Sequence, residues 1–362
     1  MGRGAAAPAG YDPMSKPRVT VLLPVYNGER YVQQAVDSIL AQTLDDFEFI
    51  IVNDGSTDST AEILAGYRDE RVVIAHHETN QGIVPSLNHG LELARGTFIA
   101  RQDADDISLP HRLERQVRLL ENHPRVVIAG SAYYLIDEHG TRLRTAHRPA
   151  SDTHIRWDLL FHNSFLHTAV MLRADTLRRH GLRYDARALH AEDYDLWSRL
   201  LRHGEGCNSD DPLLKHRIHE QQISSRVATV QARMADRIAQ ANLARLGVQV
   251  SAADISTLRH WYYWFPRRLS EADMRLCRLL LGSLNALQEQ PASDPVVVRG
   301  LRRRWIDRML AAIPAQQPGA LWRSGLLSTM LRDDSQAVRR HLAKRITQRL
   351  RRVLQKTASQ AA

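Results

Sequence analysis

The stretch Val19-Thr20-Val21-Leu22-Leu23-Pro24-Val25-Tyr26-Asn27-Gly28-Glu29 decides the fold. Val19 to Leu23 is a short apolar run, and Pro24 and Gly28 force a turn behind it. Runs of this kind, rich in β-branched residues, read as buried strands. Three more follow: Phe47 to Val52, Val72 to Ala75 and Phe98 to Ala100. Helical patterns fill the gaps. Val32, Val36 and Ile39 share one face, and Ile83, Leu87, Leu91 and Ala94 share another. Pro110 opens a third, with Leu113, Val117 and Leu120 inside. Strand–helix alternation at this spacing predicts βαβ units, hence an α/β fold with a mostly parallel sheet flanked by helices.

The alternation breaks after Val126. From about 126 to 224 short strands, loops and a helix beginning near Glu192 are mixed with dense polar and aromatic residues. From about 225 the chain becomes helical and Arg-rich. Val230, Met234, Ile238 and Ala241 mark one helix, and Leu276, Leu280 and Leu284 another. A length of 362 residues suits two domains. The predicted division is a disordered tail (1–17), an α/β domain (18–224) and a helical, basic C-terminal domain (225–362). The tail is rich in Ala, Gly and Pro and lacks the apolar core of a signal peptide. No run approaches the roughly 18 apolar residues that span a bilayer. Cys207 and Cys277 have no metal-type spacing and fit a reducing cytoplasm. The net charge of +9, carried mostly by Arg, attracts anionic partners without selecting one. No nucleic-acid recognition motif accompanies it. The first turn lacks the Gly-X-Gly-X-X-Gly of dinucleotide-binding dehydrogenases.

Chemistry-bearing residues follow the strand ends, where open α/β sheets bind ligands. After the first strand, Tyr26 can stack on a nucleobase or simply pack. After the second comes Asn53-Asp54-Gly55-Ser56-Thr57-Asp58. There Thr57 or Asp58 suits a helix cap, and Asp54 suits a ligand contact. After the fourth comes Asp103-Ala104-Asp105-Asp106. Clustered carboxylates repel unless a cation neutralises them, and oxygen-only ligands suit Mg²⁺ or Mn²⁺. The alternative is a solvated acidic turn. Ala191-Glu192-Asp193-Tyr194-Asp195-Leu196-Trp197 begins a helix. An ionised carboxylate there can accept a proton from a hydroxyl, although acids at helix starts are common. In Lys215-His216-Arg217-Ile218-His219, His219 can ligate a metal and Arg217 or Lys215 can meet a phosphate. No Ser/His/Asp or Cys/His nucleophile arrangement is evident.

In their joint order these residues resemble the family-2 glycosyltransferases of the GT-A fold. The matches include Val-Leu-Leu-Pro-Val-Tyr-Asn from Val21, Val-Asn-Asp-Gly-Ser-Thr-Asp from Val52, Asn80, Gly82, Leu87-Asn88, Gly90 and Ala94-Arg95-Gly96. Asp-Ala-Asp-Asp at 103, Ala-Glu-Asp-Tyr-Asp-Leu-Trp from 191 and Arg-Ile-His from 217 complete the order. The resemblance covers about residues 18 to 224. It implies a Rossmann-like donor half (about 18–125) and an acceptor half (about 126–224). It also implies a nucleotide-sugar donor, UDP by default, and inversion at the anomeric carbon. Pro24, Tyr26, Glu29, Asp54, Asn80, Asp103 and Asp105 become the donor-binding set. Asp103 and Asp105 form the Asp-X-Asp pair, Asp105 the direct ligand of Mn²⁺ or Mg²⁺, with His219 alongside. Asp193 becomes the general base, with Glu192 its alternate. Cell-surface polysaccharide or glycoconjugate synthesis, with a glycan or lipid-linked acceptor, is the expected setting. The alternative is a non-catalytic sugar-nucleotide-binding scaffold.

The last third carries no such match. Val338, Leu342, Ile346, Leu350 and Val353 form a helical stripe among arginines. Such a helix either lies on an anionic membrane or packs on its own domain. The cluster Trp261-Tyr262-Tyr263-Trp264-Phe265 has the same two readings, core or interfacial anchor. A cytoplasmic protein, peripheral on the inner face of the cell membrane, is the expected location.

Overall fold

The computed structural model describes residues 16–220, 227–313, 324–336, 338–340 and 343. They divide into two compact units. The first holds the described residues to Ser151 together with Asn163–Met234, and the second holds Asp152–His162 with the described residues from Ala235 onward.

The first unit is built on a nine-stranded sheet. Four strands match the apolar runs: β1 (Val19–Val25), β2 (Phe47–Asn53), β3 (Val72–His76) and β4 (Phe98–Arg101). Every residue of β1, β2 and β4 is buried, as central parallel strands covered on both faces require. Then come β5 (Ile107–Ser108), β6 (Val126–Ile136), β7 (Arg142–Ala146), β8 (Met171–Arg173) and β9 (Glu205–Arg217). The order is β3-β2-β1-β4-β8-β6-β9-β5, with β7 paired to β6. The four strands β1 to β4 are parallel to one another. Beyond them β8 runs antiparallel to both β4 and β6, while β6 and β9 pair in parallel. The register sets Val25 beside Asn53 and Leu22 beside Arg101, so the carboxyl ends of three strands open on one edge.

The helices of this unit are α1 (Val32–Leu40), α2 (Thr60–Ala65), α3 (Ile83–Leu93), α4 (Arg112–Asn122), α6 (Ala174–Arg179) and α7 (Glu192–Leu200); α5 (Asp152–Asp158) belongs to the second unit. α1 buries Val32, Ala35, Val36 and Ile39 in the same core as β1 and β2. Gly90 lets α3 lie directly on β1, since a Cβ there would stand 2.0 Å from Leu22 Cδ1. Gly96 is less forgiving, because its Cβ would meet the Thr20 backbone nitrogen, which cannot swing away, at 2.4 Å. Gly96 N–H donates to Thr20 Oγ1, Thr20 donates to Glu48, and Glu48 receives Arg95 through both backbone and guanidinium. The Ala-Arg-Gly element thus ties β1 to β2 just ahead of β4.

The second unit is helical: α5, the C-terminal part of α8 (Ala228–Arg245), α9 (Ala252–Tyr263), α10 (Glu271–Gln288) and α11 (Pro295–Ala312). Its core includes Trp157, Phe161, Leu243, Trp261, Leu280, Leu284, Trp305 and Ile306. In α8 the buried face is Ala235, Ile238, Ala239 and Leu243. Val230 and Ala241, expected inside, are exposed, because the apolar stripe winds a position away from them. The aromatic cluster splits, with Trp261 in the core and Tyr263 and Trp264 in solvent. Of the stripe from Val338 to Val353, Val338 is buried in this unit's core, and Leu342, Ile346, Leu350 and Val353 lie outside the described residues. So does the tail as far as residue 15. Among the described residues no helix is long and apolar enough to cross a membrane.

Candidate active site

The turns after β1 and β2 are stitched together. Asn27, at φ 50°, donates its N–H to Ser56 Oγ and accepts from Thr57 N–H. Glu29 N–H donates to Asp58, and the Glu29 carboxylate accepts from Ser59 N–H. Asp58 also accepts from Thr60 N–H, but the N-cap of α2 is Ser59, which makes no side-chain cap bond, so the capping expected of Thr57 or Asp58 falls one residue short. Pro24 is buried within β1, and Tyr26 stands out at the lip with its ring exposed. Asp54 is buried at the end of β2 and accepts from His77 Nδ1 at 2.6 Å, Gln81 N–H at 3.0 Å and Gly82 N–H at 2.8 Å. Burial pushes this carboxyl up, but those hydrogen bonds outweigh it and hold it below the usual range. His77 continues to His89 Nδ1 at 2.9 Å. Asp54 therefore fixes the loop that carries exposed Asn80.

The acidic turn after β4 is underpinned by buried arginines that composition alone would place outside. Arg112 on α4 is fully buried. It donates to Gln102 Oε1, Ser108 Oγ, the Arg101 and Val170 carbonyls and Gln116, while burial lowers it to about 9. Arg101 is buried as well and donates to Asp103 at 2.7 Å. Asp106 is wholly buried and accepts from Arg217 N–H at 2.8 Å and from His216 Nδ1 at 3.1 Å. Burial raises Asp106 to about 6. Burial works against the charged form of His216, but the Asp106 carboxylate overcomes it and raises the imidazole to about 9. Between those values the pair is ionic.

Asp105 accepts from His219 Nε2 at 3.0 Å. Burial disfavours its charge, yet His219 and the nearby His216 charge hold it below the usual range. His219 Nδ1 is buried without a hydrogen-bond partner among the described residues. The Arg217 guanidinium does not reach for a phosphate. It is buried over the Tyr31 ring and donates to the Asp105 and Glu138 carbonyls and to Gln34. Asp103, Asp105 and Asp106 each bring one oxygen within 4.8 Å of the others. This donor set of hard oxygens fits Mg²⁺ or Mn²⁺; His219, expected as a ligand, is not among the grouped donors and turns its Nε2 to Asp105.

Glu192 and Asp193 begin α7, reached through His190 at φ 70°. Asp193 accepts from Asn163 Nδ2 at 2.7 Å and from Tyr194 N–H at 2.6 Å. Burial, and then the charge of Glu192, still push it up to about 7; Asp103 adds to the same effect. Asp103 and Asp193 are therefore close enough to feel each other's charge. Glu192 Oε2 is buried without a partner among the described residues, and burial raises its carboxyl too. His167 lies between the regions, hydrogen-bonded to Tyr184 at 2.9 Å and kept neutral by burial, at about 3. Arg101, Arg112, Asn163, His167 and His216 were not singled out as site residues from sequence. Single polar residues inside or beside apolar runs leave no periodic signal.

A sequence profile described as Glycosyl transferase family 2 matches residues 20–180. An uncharacterized glycosyltransferase of Haemophilus influenzae is 32% identical over 261 residues, 68% of this chain and 81% of that protein. The amylovoran biosynthesis glycosyltransferase AmsE of Erwinia amylovora is 34% identical over 212 residues, 57% of this chain and 79% of that protein. Among solved structures, S. aureus TarS 1–349 in complex with UDP-GlcNAc superposes with a TM-score of 0.54 at 17% identity. The match covers 87% of this chain and 89% of that one and shows a shared fold.

Proposed function

Because the chain belongs to glycosyl transferase family 2, with a GT-A fold, we propose that it moves a sugar from a nucleoside diphosphate donor to an acceptor hydroxyl with inversion. The observation that carries this reading is electrostatic. An acidic cluster suited to a divalent cation lies within charge range of a second, poised carboxylate. A UDP-hexose or UDP-N-acetylhexosamine is the first donor to try, since TarS was solved with UDP-GlcNAc. Polysaccharide biosynthesis is the setting favoured by the amylovoran relative.

Tyr26 and the Asn80 loop, braced by Asp54 and Glu29, bind the nucleoside. Asp105, with Asp103, would hold Mn²⁺ or Mg²⁺, which when bound neutralises charge on the leaving diphosphate. Asp193 accepts the acceptor's proton as its oxygen attacks, oriented by Asn163 and the Tyr194 N–H. Glu192 keeps the Asp193 carboxyl basic enough for that work. Attack from the face opposite the leaving group, in one step, inverts the anomeric carbon and needs no enzyme nucleophile.

The test is turnover of a UDP-sugar panel with Mn²⁺ or Mg²⁺, the anomeric configuration of the product being read by NMR. Asp105→Asn should nearly abolish diphosphate release. Asp193→Asn should abolish transfer while leaving donor binding intact. Full transfer by both variants, or a retained configuration, would refute the reading.

A further inference from the structure

We propose that the loop after α9, Tyr263 to Arg268, docks the helical unit onto an anionic lipid surface. Tyr263 and Trp264 are 58% and 73% exposed. Tyr263 rests one side on the His162 ring, 4.4 Å between centroids, whereas an indole as open as that of Trp264 is rarely left to solvent. The loop is held on both sides of them. Trp261 is buried in the core, Phe265 packs against it, and Trp264 N–H closes the last helical turn on the His260 carbonyl. The backbone thus presents the Trp264 ring outward from a fixed base, with the half-covered Tyr263 ring beside it.

What surrounds the rings says what covers them. Arg267 and Arg268 follow directly, both exposed and with no acidic partner among the described residues. On α11, the Arg308 guanidinium lies 5.2 Å over the Phe265 ring and 4.9 Å over the Trp305 ring, with exposed Arg304 one turn before it. Asp307 offsets part of this charge. Rings with one apolar and one polar side, set beside arginines, match the boundary between headgroups and acyl chains. Phosphate-bearing headgroups supply the charge complement. With no membrane-crossing helix among the described residues, contact through this loop is peripheral.

Vesicle binding needs no sugar nucleotide, so this proposal stands or falls apart from the transferase reading. The whole chain is sedimented with phosphatidylcholine vesicles, with and without phosphatidylglycerol. The same is done for Trp264→Ala and for Arg267→Glu combined with Arg268→Glu, each checked for an unchanged melting temperature. The chain should pellet with anionic vesicles at low salt and stay in solution with neutral ones. Trp264→Ala should lower the partition about fivefold or more, and the double variant by a similar factor per arginine. The proposal is overturned if the chain ignores anionic vesicles or if both variants bind as well as the parent. It is equally overturned if Trp264→Ala breaks a dimer that forms without lipid, since a second copy would then cover the patch.

Discussion

Asp193 carries two donors on its carboxylate, yet burial and Glu192 hold it near 7. A base works in its deprotonated form, and that fraction grows as pH rises through the group's pKa. Transfer measured as kcat/KM should therefore climb below about pH 7 and level off above it. Asp193→Asn should lower kcat by about 10²–10⁴-fold, the usual worth of a positioned acid or base. Asn163→Leu removes a donor that favours the charged form. Its pH profile should shift upward by about one unit, the worth of a hydrogen bond to a charged group. A profile that does not move in Asn163→Leu would mean that Asn163 merely fills space. The sequence made Asp193 visible because it stands in an ordered motif. Asn163 stands in no motif, and only its position facing α7 reveals it.

At the scale of elements, two contacts are decisive. Gly96→Ala forces a Cβ against the Thr20 backbone, which cannot swing away as a side chain can. A loss of about 1–3 kcal/mol is expected in denaturant unfolding, as for other overpacked sites. One tie between β9 and the acidic turn, beside those of Arg217, is the His216–Asp106 pair. His216 is raised in the folded protein, so its contribution to stability is full below about pH 6.5 and is lost as pH rises through about 9. In chelator, the melting temperature should fall across that window, and His216→Gln should flatten the fall. The strands that hold the donor half were legible because each is a buried apolar run: Phe47 to Val52 became Phe47–Asn53, and Phe98 to Ala100 became Phe98–Arg101. β9 was not, since Asn208-Ser209-Asp210-Asp211-Pro212 interrupts it with the residues of a loop. Its partner β6 supplies the missing signal, and that partner is far away in sequence. Arg101 and Arg112 were hidden for a related reason. A buried guanidinium is tolerable only when acceptors meet most of its donors, as the Gln102 carbonyl and Asp103 do for Arg101, and such partners come from the fold.

For the molecule as a whole, the parallel donor-half strands, the acidic turn and the start of α7 converge in one unit, and the helical unit adds the exposed aromatic loop. The central claim is that the Asp103–Asp106 turn holds a cation that in turn holds a diphosphate. Calorimetric titration of UDP with and without Mn²⁺ tests it most directly. Metal should tighten nucleotide binding at least about tenfold, and nucleotide should tighten metal binding by the same factor, because such coupling is reciprocal. Asp105→Asn should erase that coupling. UDP binding of equal strength in chelator, or coupling that survives Asp105→Asn, would contradict the claim.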